Sequence, residues 1–368
     1  MGEQAVRVLQ VAGVGEVVIA EEPEPPVEDG GFRVETLYSG LSAGTELSYV
    51  KGTNPYLSAG WDPVLGLFRA DRPAAAYPVR RLGYMEVARV TESRTPALSP
   101  GQVVAMAYGH RTGYTASPAD DRFVPLPAGL DPLLGIYAAH MGPICANGLL
   151  HAAADTCGAD VRALGDGVRG RRVAVTGAGV VGLLTALFAR HHGAAAVVVV
   201  DRTRDRLDRA ERLGLATIPM DGQDPALTVK ARWRHSRNDR GADVVFQCRG
   251  RPESLHGALR MLRPQGTVVD LAFYQEGAAR LRLGEEFHHN ALSIRCSQIG
   301  RVPRGLDHTW SRERLSAETL DLLRAQGDGI RRHLITDVVP FDDAPGFVCA
   351  LAAGRRHTVQ AVFDMTAA

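Results

Sequence analysis

The sequence predicts an α/β protein: a β-rich part, then a doubly wound part with a parallel sheet. Short β-type runs such as "VRVLQVAG" and "FRVETLYSG", separated by clusters of Pro, Gly, Asp and Glu, fill residues 1 to about 135. After Leu130, strand-like and helical runs alternate with short connections, which is typical of βαβ units. At 368 residues, the chain is long enough for two domains.

Composition and charge argue against several classes of partner. The formal net charge of +1 gives no electrostatic reason to expect nucleic acid or an anionic membrane as a partner. The longest apolar run, "GAAAVVVV", is too short to span a bilayer, and "MGEQAVRVLQ" does not read as a signal peptide. The five cysteines are scattered without a CxxC pair, so we expect neither a disulfide framework nor a zinc knuckle. A reducing cytoplasm fits best.

The first part contains five clear β-type runs and one long polar and aromatic stretch. That stretch, residues 51–78, is long for a loop, and loops of such length are usually functional or form a lid. The predicted strands are "VRVLQVAG", "EVVIAEE", "FRVETLYSG", "EVARVTES" and "GQVVAMAYG".

The second part opens with an apolar helical run at residues 131–155, after which strands and helices alternate. From about residue 301 the character becomes mixed, with a helix at "SAETLDLLRAQG" and strands at "LITDVVP" and "TVQAVFDM". The predicted strands between these regions are "RRVAVTGAG", "AAAVVVVD", "LATIPM", "ADVVFQCRG", "TVVDLAF" and "LSIRCSQI". The predicted helices are "VVGLLTALFARHHG", "RDRLDRAERLG" and "PESLHGALRMLRPQG".

A glycine pattern follows the first strand of this second part. An apolar strand precedes G-x-G-x-x-G, a helix follows it, and the next strand ends in Asp201, 19 residues after the last glycine. The first glycine allows a tight turn, the second lets the backbone approach a pyrophosphate, and the third lets the helix pack closely. The helix N-terminus then offers N–H donors to phosphates. The predicted dinucleotide-binding turn is Gly177, Ala178, Gly179, Val180, Val181 and Gly182.

Asp201 favours NAD(H) over NADP(H). Its carboxylate can accept hydrogen bonds from the adenosine ribose and would repel a 2′-phosphate. Three arginines follow closely, Arg202, Arg204 and Arg206, and they could hold a phosphate. NADP(H) therefore stays open as an alternative.

The order of these parts resembles the medium-chain dehydrogenase/reductase superfamily, whose zinc-type alcohol dehydrogenase-like members pair a GroES-like substrate domain with a Rossmann nucleotide domain. The stretch "EEFHHNALSIRCSQIGRVPR" resembles the bacteriochlorophyllide a dehydrogenase-like subgroup. The resemblance implies a substrate domain at 1–150 and 301–368 and an NAD-binding domain at 151–300. It rests on "YSGLSAGTEL", "LGYMEVARV", "LSPGQVVAM", the glycine pattern, "RLDRAERLG" and "ALRMLRPQGTVV".

The resemblance also implies that the catalytic zinc of many relatives is absent here. The three ligand places fall on Ala43, Tyr84 and Pro143, and none of these is a thiolate, an imidazole or a carboxylate. Residues 1–144 contain no cysteine, which also removes the structural zinc lobe. We therefore expect no metal ligand and a reaction that depends on hydrogen bonds.

The same alignment implies four catalytic candidates, each with a structural alternative. Tyr84 could donate a hydrogen bond to a carbonyl, or act as a base if its pKa were lowered, or simply fill the vacated space. Thr45 matches a relay hydroxyl, with Ser48 next in the relay, but could satisfy a turn. Glu46 could orient the phenol or pair with an arginine, and His140 could be catalytic or a buried structural histidine. We interpret His110 as structural.

Further cofactor contacts are implied by position in the family pattern. Arg206 falls at a basic position beside the adenosine ribose, as Arg202 could, and Asn147 matches a position that borders the nicotinamide. The remaining candidates lie at two strand ends, namely Cys248, Arg249 and Gly250 at the first and Leu271 and Ala272 at the second.

The expected function is a zinc-independent, NAD(H)-dependent dehydrogenase or reductase that interconverts a secondary alcohol and a ketone. Its substrate would be a polar small molecule such as a sugar, cyclitol, nucleoside or other biosynthetic intermediate. Two alternatives remain: an NADPH-dependent enone or quinone reductase, and a non-catalytic nucleotide-binding protein. The family association implies a homodimer or homotetramer, formed through an edge strand around residues 291–298.

Overall fold

The computed structural model describes residues 4–275 and 277–367. The chain forms two compact units. One contains the chain up to His140 and resumes at Ile335; the other is Met141–Leu334. These divisions differ from the expected ones at residues 150 and 300. The helices Met141–Cys157 and Arg312–His333 pack on each other within the second unit, which accounts for both displaced divisions.

The first unit is built mainly of antiparallel strands. The first two strands form a hairpin, and a mixed seven-stranded sheet follows the order β16-β17-β3-β6-β7-β9, with β8 also paired to β3. Strands of the chain's end thus pair with strands of its beginning, as the returning β pattern predicted. The strands are β1 (Gln4–Gly13), β2 (Glu16–Glu24), β3 (Phe32–Gly40), β4 (Gly60–Asp62), β5 (Leu67–Arg69), β6 (Glu86–Ser93), β7 (Val103–Met106), β8 (Gly113–Ala116), β9 (Val124–Pro125), β16 (Ile335–Pro340) and β17 (Gln360–Asp364).

Two α-helices of this unit are short, and one of them carries part of the candidate site. Helix α1 (Ala43–Val50) follows β3 directly, and helix α8 (Ala344–Ala352) packs beside it. The long polar stretch folds into a 3₁₀ turn at Pro55–Leu57 and the small β4–β5 hairpin. Its base is fixed to α1, because the Asn54 amide donates to the Ser48 hydroxyl at 2.7 Å.

The second unit is a doubly wound α/β structure. Its six strands form one parallel sheet in the order β12-β11-β10-β13-β14-β15, the arrangement of a dinucleotide-binding fold. This confirms the predicted fold class. The strands are β10 (Arg172–Thr176), β11 (Ala196–Asp201), β12 (Ala216–Pro219), β13 (Ala242–Gln247), β14 (Leu262–Asp270) and β15 (Ser293–Cys296).

Helices cover this sheet and separate its strands. The helices are α2 (Met141–Cys157), α3 (Val180–His191), α4 (Arg204–Arg212), α5 (Pro225–Arg232), α6 (Pro252–Met261) and α7 (Arg312–His333). Helix α5 was not predicted, and α6 ends earlier than expected because β14 begins at Leu262. Among the described residues, none of the helices combines the length and apolar character needed to cross a bilayer.

Each unit has its own buried apolar core. In the first, one cluster includes Leu9, Val11 and Phe363. In the second, a cluster that includes Val198 and Val245 packs between the sheet and its helices. Burial of such side chains is worth about 1.5–3 kcal/mol each, so both units have the apolar packing that a stable scaffold requires.

Candidate active site and nucleotide site

Tyr84 stands at the entrance of β6 in the first unit. The preceding Gly83 has φ of +100°, and a Cβ built there would lie 2.7 Å from the His110 ring, so only glycine fits without rearrangement. The tight turn at Gly83 brings the half-buried Tyr84 side chain beside the start of α1.

The Tyr84 hydroxyl meets two other hydroxyl groups. It forms a short hydrogen bond with the Ser42 hydroxyl, and Thr45 also hydrogen-bonds to it. The Tyr84 and His140 rings lie in contact, with centroids 4.6 Å apart. The structure therefore brings Tyr84, Thr45 and His140 together in this unit, and it adds Ser42, which the sequence analysis did not select.

Burial raises the pKa of Tyr84 to about 12, although hydrogen bonds from Ser42 and Thr45 act in the opposite direction. The nearby Glu46 carboxylate raises it further. The base role considered for Tyr84 required a lowered pKa, and the site does the reverse. The side chain is therefore a neutral phenol near neutral pH, which makes it a hydrogen-bond donor and an acid.

Glu46 does not bond to the phenol. One carboxylate oxygen accepts the backbone N–H of Ser42 at 2.7 Å, and the other lies 2.6 Å from His110 Nε2. The expectation that Glu46 orients the phenol directly, or pairs with an arginine, is thus replaced by a different arrangement. Glu46 caps the first turn of α1 by accepting the Ser42 N–H. Its other oxygen faces His110, which is distant in sequence.

His110 lies at the centre of a fully buried polar group. Its Nδ1 is 2.6 Å from the Ser39 hydroxyl, which donates to Glu86 at 2.9 Å. Burial would lower the pKa of His110, but the charges of Glu46 and Glu86 outweigh burial and raise it. Burial also raises the pKa of Glu86. The structural interpretation of His110 was incomplete, since its partner is one of the catalytic candidates.

Ser48, the next relay candidate, serves local structure. Its hydroxyl donates to the Thr45 carbonyl at 2.5 Å and accepts from Asn54. Ser48 is fully buried, so it supports the turn that carries Thr45.

The groups around Tyr84 do not fit a catalytic zinc. The phenol oxygen is bonded to Ser42, both Glu46 oxygens already have partners, and Ala43 offers only a methyl group. A tetrahedral zinc site needs about three ligands from Cys, His or carboxylate. His140 and Glu46 are the ligand types near Tyr84, and the described residues form no group of three such ligands there.

The glycine turn of the second unit has the geometry that the fingerprint predicted. Gly177 has φ of +99°, and a Cβ on Gly182 would lie 1.8 Å from the Gly177 carbonyl oxygen. A Cβ on Gly179 would meet only the Arg206 guanidinium, at 3.9 Å. The backbone before α3 is therefore open, and Val180 and Val181 begin that helix with unpaired N–H groups.

Asp201 ends β11 directly beside this turn. Its carboxylate accepts the Ala178 N–H at 2.8 Å and the Thr203 N–H at 2.7 Å. Each carboxylate oxygen has two lone pairs, so one acceptor direction per oxygen remains for ribose hydroxyls. Asp201 is thus both a structural clamp on the glycine turn and a ribose candidate.

Arg249 feels the charges of several nearby groups. Burial lowers the pKa of Arg249, and the like charges of Arg202, Arg251 and Arg206 lower it further, while Asp201 raises it. Positive charge is therefore concentrated near Arg249 and Asp201. These arginines could bind the 2′-phosphate of NADP(H), although the Asp201 carboxylate would repel it.

The remaining cofactor candidates lie at two neighbouring strand ends. Cys248 continues β13, its N–H bonded to the Thr176 carbonyl at 2.9 Å, and a Cβ on Gly250 would lie 2.1 Å from the Phe273 carbonyl oxygen. Leu271 and Ala272 follow β14, where Ala272 N–H bonds to Asp270 at 3.0 Å. These positions border the C-terminal edge of the parallel sheet, where dinucleotides bind in this fold.

Asn147 is fully buried in α2 and faces a loop. Its amide nitrogen donates to the carbonyls of Arg301, Gln298 and Ser297 at 3.2–3.5 Å, while Oδ1 is buried without a hydrogen-bond partner among the described residues. The side chain therefore fixes the chain after β15.

A cavity of about 160 Å³ opens beside Gly177, and its walls were only partly anticipated. Apolar walls next to the turn suit an adenine ring. Apart from Gly177 and Arg249, the wall positions carry no motif of their own, so the sequence analysis did not select them. The walls include Val200, Met220, Pro225, Arg249, Ser254 and His256.

A group of three side chains elsewhere in the second unit has metal-ligand types. His256, Glu285 and Glu286 approach within 4.8 Å of one another. Glu286 is already paired with Arg260 at 3.2 Å and Glu285 with Arg282 at 3.1 Å. The guanidinium groups neutralise part of the cluster's charge, while Glu286 Oε2 and His256 Nδ1 have no hydrogen-bond partner among the described residues.

Comparison with known proteins supports the superfamily resemblance. Residues 180–313 match the family described as "Zinc-binding dehydrogenase". This stretch covers most of the second unit and contains none of Ala43, Tyr84 and Pro143. The match therefore bears on the nucleotide unit and leaves the presence of zinc untested.

One curated relative is a dehydrogenase that matches about half of this chain. The chain is 32% identical over 175 residues to D-guloside 3-dehydrogenase of Escherichia coli (strain K12), covering 47% of this chain and 48% of that enzyme. The chain thus spans about half the length of this curated relative.

Solved structures share the fold along almost the whole chain. Galactitol-1-phosphate dehydrogenase of Escherichia coli matches with a TM-score of 0.74 at 17% identity, over 97% of this chain and 99% of that one. A protein of Sinorhizobium meliloti 1021, described as a zinc-binding dehydrogenase and solved with NADP, matches with a TM-score of 0.72 at 19% identity, over 98% of this chain and 100% of that one. At these identities the likeness shows a shared fold.

Proposed function

We propose that the chain is a zinc-independent, NAD(H)-dependent oxidoreductase that interconverts a secondary alcohol and a ketone on a polar small molecule. The observation that carries this proposal is the hydroxyl cluster of Ser42, Thr45 and Tyr84 at the place where relatives hold a metal. The glycine turn and Asp201 support a dinucleotide partner.

Tyr84 supplies the acid of this reaction. When bound, the nicotinamide supplies or accepts the hydride. The neutral phenol donates a hydrogen bond to the substrate's carbonyl oxygen and gives up its proton there as the alcohol forms. Ser42 and Thr45 then hydrogen-bond the phenolate oxygen until a proton from water restores it. Each well-placed donor contributes about 3–4 kcal/mol to the transition state.

The raised pKa of Tyr84 favours carbonyl reduction over alcohol oxidation at neutral pH. A phenol that keeps its proton can donate at once, whereas oxidation needs the phenolate. Lowering the pH should therefore not impair reduction through this residue, and oxidation should become faster as the pH rises.

The residues of the nucleotide site fit a dinucleotide. The open backbone at Gly179 and the first N–H groups of α3 would hold the pyrophosphate, and Asp201 would hold the adenosine ribose. The apolar cavity beside Gly177 would take the adenine. Asp201 supports NAD(H) as the first choice.

NADP(H) is a second candidate because of the arginines. Arg202, Arg206, Arg249 and Arg251 concentrate positive charge beside the ribose end of the site. One solved structure of the same fold was obtained with NADP. An enone or quinone reductase that uses NADPH would share this feature.

The substrate class is proposed from polarity and from relatives. Hydroxyl groups and a histidine ring face the reacting position, which suits a polyol or sugar. The names of two proteins that this chain resembles, D-guloside 3-dehydrogenase and galactitol-1-phosphate dehydrogenase, point the same way. We therefore propose a sugar, a cyclitol or a related biosynthetic intermediate.

The direct test is a substrate screen that follows the absorbance of the reduced cofactor across sugars, keto-sugars, cyclitols and enones. For the substrate found, Tyr84→Phe should lower kcat about 10²–10³-fold with little change in NADH binding, because one donor is removed. Tyr114→Phe is a matched control, since that phenol bonds to Asp121 and does not touch the cluster. Full activity of Tyr84→Phe would show that Tyr84 only fills space, and turnover of enones alone would favour the reductase alternative.

A further inference from the structure

His110 and Glu46 form an unusual buried contact. They are 64 residues apart in sequence, and their side chains are 0% and 2% exposed, with Nε2 and Oε2 only 2.6 Å apart. A buried carboxylate is costly unless it is paired, so this contact fixes both partners strongly.

The hydrogen bonds around His110 determine where its protons lie. The Ser39 hydroxyl has one proton, which it donates to Glu86 at 2.9 Å, so it accepts from His110 Nδ1. Nε2 faces the Glu46 carboxylate, which accepts. The raised pKa of His110 favours the form in which both ring nitrogens donate, with the Glu46 carboxylate as the partner of Nε2. Gly83 and the edge of the Phe363 ring, whose centroid lies 4.9 Å away, also pack against the imidazole.

The Glu46 carboxylate connects His110 to Tyr84 through Ser42. Its second oxygen accepts the backbone N–H of Ser42, the residue that precedes α1, and the Ser42 hydroxyl bonds to Tyr84. His110 also packs against Gly83, the neighbour of Tyr84 in sequence. One side chain thus supports both partners of the Ser42–Tyr84 hydrogen bond.

We propose that His110 is a positioning residue: paired with Glu46, it holds the first turn of α1 so that the Ser42 hydroxyl meets the Tyr84 phenol. This inference rests on the proposed function for its consequence in catalysis. Its structural content, the dependence of the Tyr84 environment on His110, can be judged without any substrate.

Two substitutions separate the two contacts of His110. The amide nitrogen of Gln lies near the place of Nε2, so His110→Gln keeps a donor towards Glu46. The amide nitrogen of Asn lies near the place of Nδ1, so His110→Asn keeps a donor towards Ser39 and loses Glu46. The proposal assigns positioning to the Glu46 contact, so the two variants should behave differently.

The test combines fluorine NMR with kinetics. Fluorotyrosine replaces all nine tyrosines, and the Tyr84 resonance is assigned by its loss in Tyr84→Phe. His110→Asn should shift that resonance and lower kcat about 10- to 100-fold, since a small misplacement of a reacting group has effects of that order. KM and NADH affinity should stay near those of the wild type, and His110→Gln should largely restore both the shift and kcat.

An unshifted Tyr84 resonance in His110→Asn would overturn the proposal, as would equal effects of Asn and Gln, which would indicate ring packing alone. If no wild-type turnover is found for any substrate, the proposed function fails. The Tyr84 resonance still tests whether His110 positions Tyr84. If His110→Asn does not fold, Glu46→Gln replaces it, because it removes the charge and keeps the size. The Tyr84 resonance should then shift, and an unshifted resonance would overturn the proposal.

Discussion

Tyr84 illustrates how one side chain can change the chemistry that a fold supports. Burial keeps its proton in place, with a pKa of about 12, and two hydroxyls share its hydrogen bonds. A phenol in this state polarises a carbonyl by donation, which is weaker than a metal ion but needs no ligand set. The reacting group is thus defined by its immediate neighbours.

The proposed preference for NAD(H) depends on a single side chain, Asp201. Asp201→Asn keeps the side-chain size and removes the charge, so NADH should bind about 10–100-fold more weakly, as expected for losing a charge-assisted hydrogen bond of about 1.5–3 kcal/mol. The loss for NADPH should be smaller, because repulsion of the 2′-phosphate is also removed. Fluorescence titration with both cofactors measures this difference.

The controls for this titration lie among the arginines. Arg249→Gln should weaken the binding of NADPH more than that of NADH, since Arg249 lies near Asp201 and also lines the cavity proposed for the adenine of both cofactors. Arg204→Gln should affect neither cofactor, because its guanidinium pairs with Asp208 at 2.8 Å on the surface of α4. Tighter binding of NADPH than of NADH by the wild type would contradict the role given to Asp201.

Two short elements position the candidate sites. The first turn of α1 lies beside Tyr84, and the turn between β10 and α3 forms the candidate nucleotide site. The second was predictable, because its glycines and the strand before it are local in sequence. Helix α1 was not predicted, since it is only eight residues long and contains Gly44, Thr45 and Ser48, which have low helix propensity. Its stability comes from contacts such as Glu46 with His110, which no local pattern shows.

Substitution of Gly182 tests whether the turn between β10 and α3 binds the nucleotide. In Gly182→Ala, the new methyl would lie 1.8 Å from the Gly177 carbonyl oxygen, so the turn must open. NADH affinity should fall by more than about tenfold, with lower thermal stability. Gly346→Ala in α8 is the control, since nothing lies within 4 Å of its Cβ and it belongs to the other unit. It should keep NADH binding, with a gain of up to about 1 kcal/mol. Unchanged binding in Gly182→Ala would contradict the assignment of the turn.

At the scale of the whole molecule, the sequence predicted both architectures and the return of the chain to the first one. The boundaries between the two units were less predictable. In the sequence, α2 and α7 lie next to segments of the first unit, and only their packing shows that they belong to the second. The cofactor candidates could be predicted because they follow strand ends in order. Ser42, Ser39, Glu86 and His110 could not, because their meeting depends on β3, β6 and α1 coming together.

The central claim is that hydride chemistry in this chain proceeds without zinc. The most direct measurement is the rate of cofactor-linked turnover before and after exhaustive treatment with a strong zinc chelator, with the metal content determined on the same samples. We predict an unchanged rate and no stoichiometric zinc, because the described residues around Tyr84 do not form a group of three metal ligands. Loss of turnover on chelation, with recovery on adding zinc, would contradict the account.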